Sequence, residues 1–575
     1  MIASPRPLWI ARVAGRQEEM GHAHGQLLAA SGGADAAITH YRRMPADLLA
    51  GEAPAALRGL ARAVVGGAAE VGLARLEAAR PRPLVARSRA FLAALGHPPA
   101  WSRYLAVMDL FQNAVGLAAR VGLGPFAAPA RAVGLAAAQP ACSTAVVWGS
   151  RSADGVLRHA RNFDFPGIGV WDAAPAVVIC HPDGGQPYAF VTTRGGDTPV
   201  VTVWNQAGLV FTSHTRFHRA IGWRGATVVD LIHQLAAGAE TLADAERLAR
   251  ALPSASTWGV AVSSWREGRA IALEVHADRV AVVAPPPGAD HLIVANRYRD
   301  PAMADGELTA TPAWALHSDR REARLRELIA AAAHRGGATV DELVAMLTDR
   351  RDPDAPTVER HLGGVIAQPC QVHSVVVEPA RGRLHLGAAA APVGDGAWIT
   401  LDVDWDGAPG AWQLDQPRPP DLGVSASAGP HRPRPPAADL VARAMAFEQT
   451  AHDPDATAAA LTEAVALAPG DPSLRLALTW TAMRQGRWSA AQASAAAGLA
   501  VETLPYRRGQ LLRWGARAAT VAGDPTTAAA WRAELAALPG EALTGLRAAA
   551  AADARASDRA LRRPPHANLL LLEAE

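Results

Sequence analysis

The texture of the chain changes at Pro140. Before it, stretches such as AALRGLARAVVGGAAEVGLARLEAA set apolar residues three and four apart among Ala, Leu and Arg, so residues 1 to about 138 read as mostly helical. After it, short runs rich in β-branched and aromatic residues follow one another: AVVW (145–148), AVVIC (176–180), YAFVTT (188–193), VVTVW (200–204), LVFTS (209–213), WGVAVSS (258–264), AIALEV (270–275), RVAVVA (279–284) and HLIVA (291–295). Gly, Pro and Asp punctuate them, as turns require. One helix is predicted at about 225–251 and two more at 318–334 and 339–349, before two last strands, SVVVEP (374–379) and RLHLG (383–387). Helices grouped between hairpin-like strands argue for layered α+β and against a doubly wound sheet.

At 575 residues the chain is too long for one ordinary domain. Its divisions read as a mostly helical N-terminal segment (1–141), a strand-rich domain (142–410), a Pro-rich linker (411–437), an all-α region (438–550) and a tail (551–575). The all-α region resembles tetratricopeptide helix pairs, with Trp480 and Trp514 one 34-residue period apart. Such a region suits a protein partner or self-association.

Composition excludes several classes. With 56 basic against 54 acidic residues, net +2, there is no electrostatic case for nucleic acid or an anionic membrane. All 56 basic residues are Arg, so no Schiff base, covalent pyridoxal phosphate or Walker A lysine is available, and no cofactor is expected. Three Cys, at 142, 180 and 370, form neither a disulfide framework nor a zinc knuckle. His214 and His218 lie in a strand-like run with no carboxylate between them, so no metal site is expected; Asp402-Val-Asp-Trp-Asp-Gly reads as a turn. No apolar run reaches membrane-spanning or signal-peptide length, and the expected location is cytoplasmic.

The segment PACSTAVVWGSRSADGVLRHARNFDF (140–165) carries the chemistry. Cys142 opens a strand, a turn at Asp154-Gly155 reverses the chain, and the returning strand brings Arg161 and Asp164 beside Cys142. A guanidinium stabilises a thiolate, and a carboxylate anchors an amine or the arginine. From spacing alone, a buried small apolar Cys142 beside a surface Arg161–Asp164 pair fits equally well.

Cys142 followed by Arg161-Asn162-Phe163-Asp164 resembles the N-terminal-nucleophile hydrolases of the penicillin acyltransferase (acyl-coenzyme A:6-aminopenicillanic-acid acyltransferase) family, relatives of the choloylglycine hydrolases and acid ceramidases. Four further motifs follow the family's order. Gly21-His22-Ala23-His24-Gly25-Gln26-Leu27-Leu28 resembles its Gly-x-x-His-Gly-x-Leu-Leu, and Asn205-Gln206-Ala207-Gly208-Leu209 its Asn-x-x-Gly-Leu turn. Ala295-Asn296-Arg297-Tyr298 resembles the segment that supplies the oxyanion Asn, and His317-Ser318-Asp319-Arg320, leading into a predicted helix, its Ser-x-x-Arg helix start. The resemblance spans roughly residues 10 to 405. Three of only five Asn in the chain, 162, 205 and 296, fall on motif positions.

The resemblance implies an αββα sandwich, an amidohydrolase or acyltransferase acting on a small-molecule acyl substrate, and self-cleavage between Ala141 and Cys142 that frees an α-amino base. It gives Cys142 the role of nucleophile, Arg161 that of steadying the thiolate, Asp164 that of holding the amine and Asn296 that of binding the oxyanion, with Asn205 and His214 placed at the substrate pocket or the oxyanion. Hydrolysis is favoured over acyl transfer because water needs no second site. The chain departs from the pattern at Ala141, often Gly, at Thr212-Ser213-His214-Thr215, where the family often has Asn, and at Arg297-Tyr298 in place of His-Phe. The competing reading is a catalytically silent hydrolase-fold scaffold whose helical end binds a partner; an inactive relative would be expected to have lost one of Cys142, Arg161, Asp164 and Asn296, and all four are present.

Overall fold

The computed structural model describes residues 6–32, 35–50, 55–121, 141–309 and 311–575; residues 122–140, the end of the stretch read as helical, lie outside them. The chain divides into two compact units. The first comprises 1–310, 325–348 and 371–433, and the second 311–324, 349–370 and 434–575.

Two sheets dominate the first unit. In chain order the strands are β1 (Trp9–Gly15), β2 (Ala141–Val147), β3 (Arg158–Asp164), β4 (Pro175–Pro182), β5 (Tyr188–Thr193), β6 (Thr202–Asn205), β7 (Leu209–Thr215), β8 (Trp258–Ser264), β9 (Arg269–His276), β10 (Arg279–Val283), β11 (His291–Val294), β12 (Arg351–Asp352), β13 (Ala355–Glu359), β14 (Gln371–Glu378), β15 (Arg383–Gly387), β16 (Gly396–Val403), β17 (Gly410–Gln413) and β18 (Val424–Arg432). One sheet runs β10-β9-β8-β7-β6-β5-β4-β1-β17 and the other β11-β2-β3-β14-β15-β16-β18. Every neighbouring pair is antiparallel except β1 and β4. β12 and β13 pair with each other in the second unit.

Alternation along the strands shows how the sheets stack. Leu8, Ile10, Val177, Ile179, Ala189 and Val191 of one sheet form a single buried core with Val375, Val377, Leu384, Leu386, Ile399 and Leu401 of the other. The opposite faces carry helices. Trp9 stacks on His24 of the helix Gln17–Ser31, Tyr188 bonds His233 of the helix Val228–Gly238, and Asn162 donates to Leu347 O at the end of the helix Val340–Leu347. The order of layers is helix, sheet, sheet, helix.

Several elements differ from the sequence reading. Trp9–Gly15, inside the stretch read as helical, is an inner strand between β4 and β17. The stretch 411–437, read as a linker, carries much of β17 and all of β18, both edge strands. An edge strand tolerates Pro430 because no partner lies on one side. The helix read at 225–251 is two, Val228–Gly238 and Leu242–Ala251, since Thr241 accepts from the Asp244 N–H and starts a second capping box. Ser318 lies within the helix Pro312–Ala333, not at its start.

In the second unit, helices Pro454–Leu467, Pro472–Arg484, Trp488–Leu499, Pro505–Ala522 and Pro525–Ala537 each pack on the next, with Trp480 and Trp514 fully buried. The unit also takes in residues 311–324 and 349–370, which the sequence reading left with the strand-rich domain. The stretch 551–575, read as a tail, ends in buried Leu569–Leu572, and Glu573 accepts from Tyr506 Oη at 2.8 Å and from Gln510 Nε2 at 2.9 Å.

Candidate active site

The expected hairpin forms, and its register fixes which side chains meet. Gly155 takes φ +74° in the turn, and Asp154 accepts from the Val156 N–H and from both Arg158 terminal nitrogens. Cys142 then lies opposite Phe163, Thr144 opposite Arg161, Ser143 opposite Asn162 and Ala141 opposite Asp164. Cys142, Thr144, Arg161 and Phe163 therefore share the face between the sheets, while Asp164 shares the other face with Ala141. Arg161 Nη2 donates to Cys142 Sγ at 3.0 Å and to Ser213 O at 2.7 Å, and Nη1 donates to Val201 O. Cys142 is 1% and Arg161 0% exposed. Burial draws the Arg161 pKa down, and the Cys142 sulfur opposes that shift; the same attraction favours the thiolate.

Asn296 follows β11, whose Val294 pairs with Thr144, and so reaches the start of β2. Its Oδ1 accepts from the Cys142 N–H at 3.0 Å and its Nδ2 donates to Thr215 O at 3.1 Å. Cys142 is thus held at its sulfur by Arg161 and at its nitrogen by Asn296. Asp164 is buried beside the Ala141–Cys142 peptide by register. The structure brings Cys142, Arg161 and Asn296 into contact and places Asp164 opposite Ala141, on the other face of the hairpin.

It separates the two others. His214 Nε2 shares a 2.9 Å hydrogen bond with Thr144 Oγ1, one inward-facing position along β2 from Cys142. From Thr144 the chain of bonds continues through Thr212 (3.1 Å) and His159 (3.0 Å) to Ser263 (2.9 Å). Asn205 lies by the far end of β7, about 20 Å along that strand at roughly 3.3 Å per residue. There its Oδ1 accepts from Leu209 N–H and its Nδ2 donates to Ala236 O and Ala239 O. It ties a turn to a helix. Gly208 in that turn has φ +89°, and a Cβ there would meet the Trp265 ring at 2.0 Å. Gly208→Ala is expected to lower the melting temperature, costing more than about 1 kcal/mol, with kcat unchanged in a steady-state assay below the transition.

Burial pushes His159 down to about 3 and His373, which bonds Thr202 at 2.9 Å, well below the usual histidine range. Both stay neutral in the folded state through mild acid, whereas the unfolded chain takes up protons near pH 6.5. The unfolded state then binds more protons, so stability falls as pH drops from about 6.5 toward 3, by up to about 1.4 kcal/mol per pH unit for each histidine. Urea unfolding at pH 7, 6 and 5 is expected to show that decline, and His159→Gln to flatten it.

The sequence motif Gly21-x-x-His24-Gly25 also gains a physical meaning. A Cβ at Gly21 or Gly25 would sit 2.2 Å from Arg87 O or 2.5 Å from Phe91 O, so the glycines let two helices touch. His24 then shares a 3.0 Å hydrogen bond with Asp197, which also takes two hydrogen bonds from Arg87 at 2.7 and 2.8 Å. Arg87 and Asp197 carried no sequence signal, nor did the carbonyls of Val201 and Ser213, which any residue supplies. Cys180 and Cys370 are fully buried, and burial pushes the Cys180 thiol up despite Arg87 at 3.5 Å.

Among the described residues no group of three or more His, Cys, Asp or Glu is placed to hold a metal ion, and no helix is long and apolar enough to cross a membrane. No family model matches the chain, and no curated protein matches it. Among solved structures it is similar to a mutant conjugated bile acid hydrolase from Clostridium perfringens, at a TM-score of 0.31 and 10% identity, over 51% of this chain and 98% of that one. At that level of overlap the chain's own geometry has to carry the functional reading.

Proposed function

We propose that the protein is a cysteine N-terminal-nucleophile amidohydrolase of the penicillin acyltransferase type, made as a precursor and activated by cleavage of the Ala141–Cys142 bond. The observation that carries this reading is the hold on both reactive atoms of one residue: Arg161 on Cys142 Sγ and Asn296 on Cys142 N, each at 3.0 Å. The helix-sheet-sheet-helix layering, with Cys142 in the second position of an inner strand, supports it.

In the precursor the Cys142 sulfur attacks the Ala141 carbonyl carbon. The C–N bond breaks, a C–S bond forms, and the thiol proton ends on the released nitrogen. Water then cleaves the thioester and leaves Ala141 as a carboxylate and Cys142 with a free amine. In turnover that amine, with a reference pKa of about 8, takes the thiol proton while sulfur attacks the substrate carbonyl. An Nδ2 group carries two hydrogens, and we assign one from Asn296 to the oxyanion. Collapse expels the substrate amine with the proton from the Cys142 ammonium, and water releases the acid. Asp164 anchors the ammonium, and Arg161 favours the thiolate.

Intact-mass measurement of the purified protein tests the activation step. Wild type is expected as two chains, one ending at Ala141 and one beginning at Cys142, with Cys142→Ala uncut. A wild type that stays one chain of 575 residues through purification and incubation at neutral pH overturns the free-amine mechanism.

A further inference from the structure

The second unit holds a cavity of its own, enclosing about 470 Å³ of space, part of it open to solvent. Its wall joins stretches of chain that are far apart in sequence: 316–320 and 352–364 on one side, 504–507 and Leu572 on the other. Among the described residues three arginines, Arg320, Arg360 and Arg507, line it against one carboxylate, Asp352.

Two of these arginines are matched by carboxylates. Arg320 pairs with Asp354 and lies 3.8 Å from Asp352, and Arg360 donates from both Nη atoms to Glu502, each at 2.7 Å. Arg507 is different. It is buried, and its Nη atoms donate to Leu571 O at 3.1 Å, to Gln510 Oε1 at 2.9 Å and to Leu572 O, all uncharged acceptors. Glu573 accepts from Tyr506 Oη and Gln510 Nε2 instead. Burial draws the Arg507 pKa down despite the attraction of Glu573, and the charge of Arg360 adds to the fall. A buried guanidinium bonded only to neutral groups is short of negative charge.

Further donors border the same space. Arg360 Nε is buried without a hydrogen-bond partner, because Glu502 takes only the Nη pair. The helix Pro505–Ala522 starts in the wall with no side chain capping its first turn. Pro505 has no N–H, so the N–H groups of Tyr506 and Arg507 stand at the positive end of an 18-residue helix. The rest of the wall includes hydrocarbon from Leu316, Leu362, Leu504 and Leu572. A neutral guest leaves Arg507 uncompensated, and a bare inorganic anion leaves the leucines wet. An acid with a hydrocarbon tail answers both.

We propose that this cavity binds a monocarboxylate carried on a short hydrocarbon chain, with its charge set against Arg507, its oxygens accepting from Arg360 Nε and the first turn of the helix, and its chain against the leucines. One negative charge is what the arginines lack, and Asp352 in the wall opposes a second. The site does not depend on the role of Cys142.

Titration calorimetry of the full chain with hexanoate, hexan-1-ol, acetate and inorganic phosphate tests it. Hexanoate is expected to bind at least about tenfold more tightly than each of the other three. Two variants place the binding. Asp352→Asn keeps the Oδ1 that accepts from the Asp354 N–H at 2.9 Å, removes a like charge, and is expected to tighten hexanoate at least about threefold. Leu316→Glu puts a like charge on a half-buried wall position and is expected to weaken it at least about tenfold. Damage to the fold weakens binding in both, so opposite signs report charge at the cavity. Hexan-1-ol binding as tightly as hexanoate overturns the anion site, and phosphate binding as tightly overturns the carboxylate assignment. Hexanoate affinity that neither variant changes belongs elsewhere on the chain and overturns the proposal, as does no binding of hexanoate at all.

Discussion

Cys142→Ala is expected to lower turnover of an acyl anilide by at least about 10³-fold, because removing a nucleophile removes the covalent route altogether. Two further substitutions make that result specific. Arg161→Ala leaves the Cys142 sulfur without its 3.0 Å donor and strands the carbonyls of Val201 and Ser213, so it is expected to cost both rate and stability. Arg161→Lys keeps the charge, but a single ammonium cannot reproduce the guanidinium's fork to sulfur and two carbonyls, and it is expected to recover only part of the rate. The double variant Cys142→Ala/Arg161→Ala should be no slower than Cys142→Ala alone, since an arginine that acts through the thiolate has nothing left to act on. Additive losses in that cycle would remove Arg161 from the nucleophile's machinery. Residual Cys142→Ala activity within tenfold of wild type would place the nucleophile elsewhere.

The hairpin that holds this site was legible because its ingredients are local. A turn at Asp154-Gly155 between two apolar runs sets the register, and the register alone puts Arg161 on the Cys142 face. What the sequence concealed depends on distant partners. The strand Trp9–Gly15 does not alternate cleanly because Arg12 occupies an inward position. It is buried there with its guanidinium donating to Trp405 O at 2.8 Å and to the Asp404 and Gly423 carbonyls. β17 and β18 have linker composition because edge strands tolerate it. Asn205 sits on a family-like motif, yet its amide is spent on a turn and a helix end, so motif position alone did not reveal what the side chain touches.

The inner-strand position of β1 also bears on what cleavage would do. Trp9 through Gly15 pair with Ala176 through Pro182 on one side, and Trp9 through Arg12 with β17 on the other. A cut at Ala141 releases one peptide bond and none of these. Both pieces are expected to co-elute in size exclusion under native conditions and to separate only in denaturant.

The largest expected loss of stability comes from Asp197→Ala. Asp197 and Arg87 are each 1% exposed at their side chains, and His24 completes the cluster. Burial works against the Asp197 charge, yet Arg87's charge and hydrogen bonds, with His24's, hold the carboxyl far below the usual carboxylate range. Deleting it leaves a buried guanidinium without its counter-charge, at a cost of about 3–5 kcal/mol. For a unit of roughly 400 residues that lowers the melting temperature by about 4–6 °C in calorimetry. The sign of the pH dependence follows from the depressed pKa. The stabilisation is fully present above the unfolded value near 3.9 and is lost only as pH falls through the folded value, so the gap between wild type and variant should stay constant from pH 7 to about 5. A gap that closes within that range would mean the carboxylate is not held by Arg87 as described. The substitution should also reach the site. Asp197 lies in the stretch joining β5 to β6, and that stretch presents Val201 O to Arg161 and Val200 O to Ser213 Oγ. Because Arg161 is positioned by that carbonyl, kcat measured well below the transition should fall as well, and Asp197→Glu should restore part of the melting temperature before it restores the rate, since a longer carboxylate can still meet Arg87 while displacing the backbone that aims Arg161.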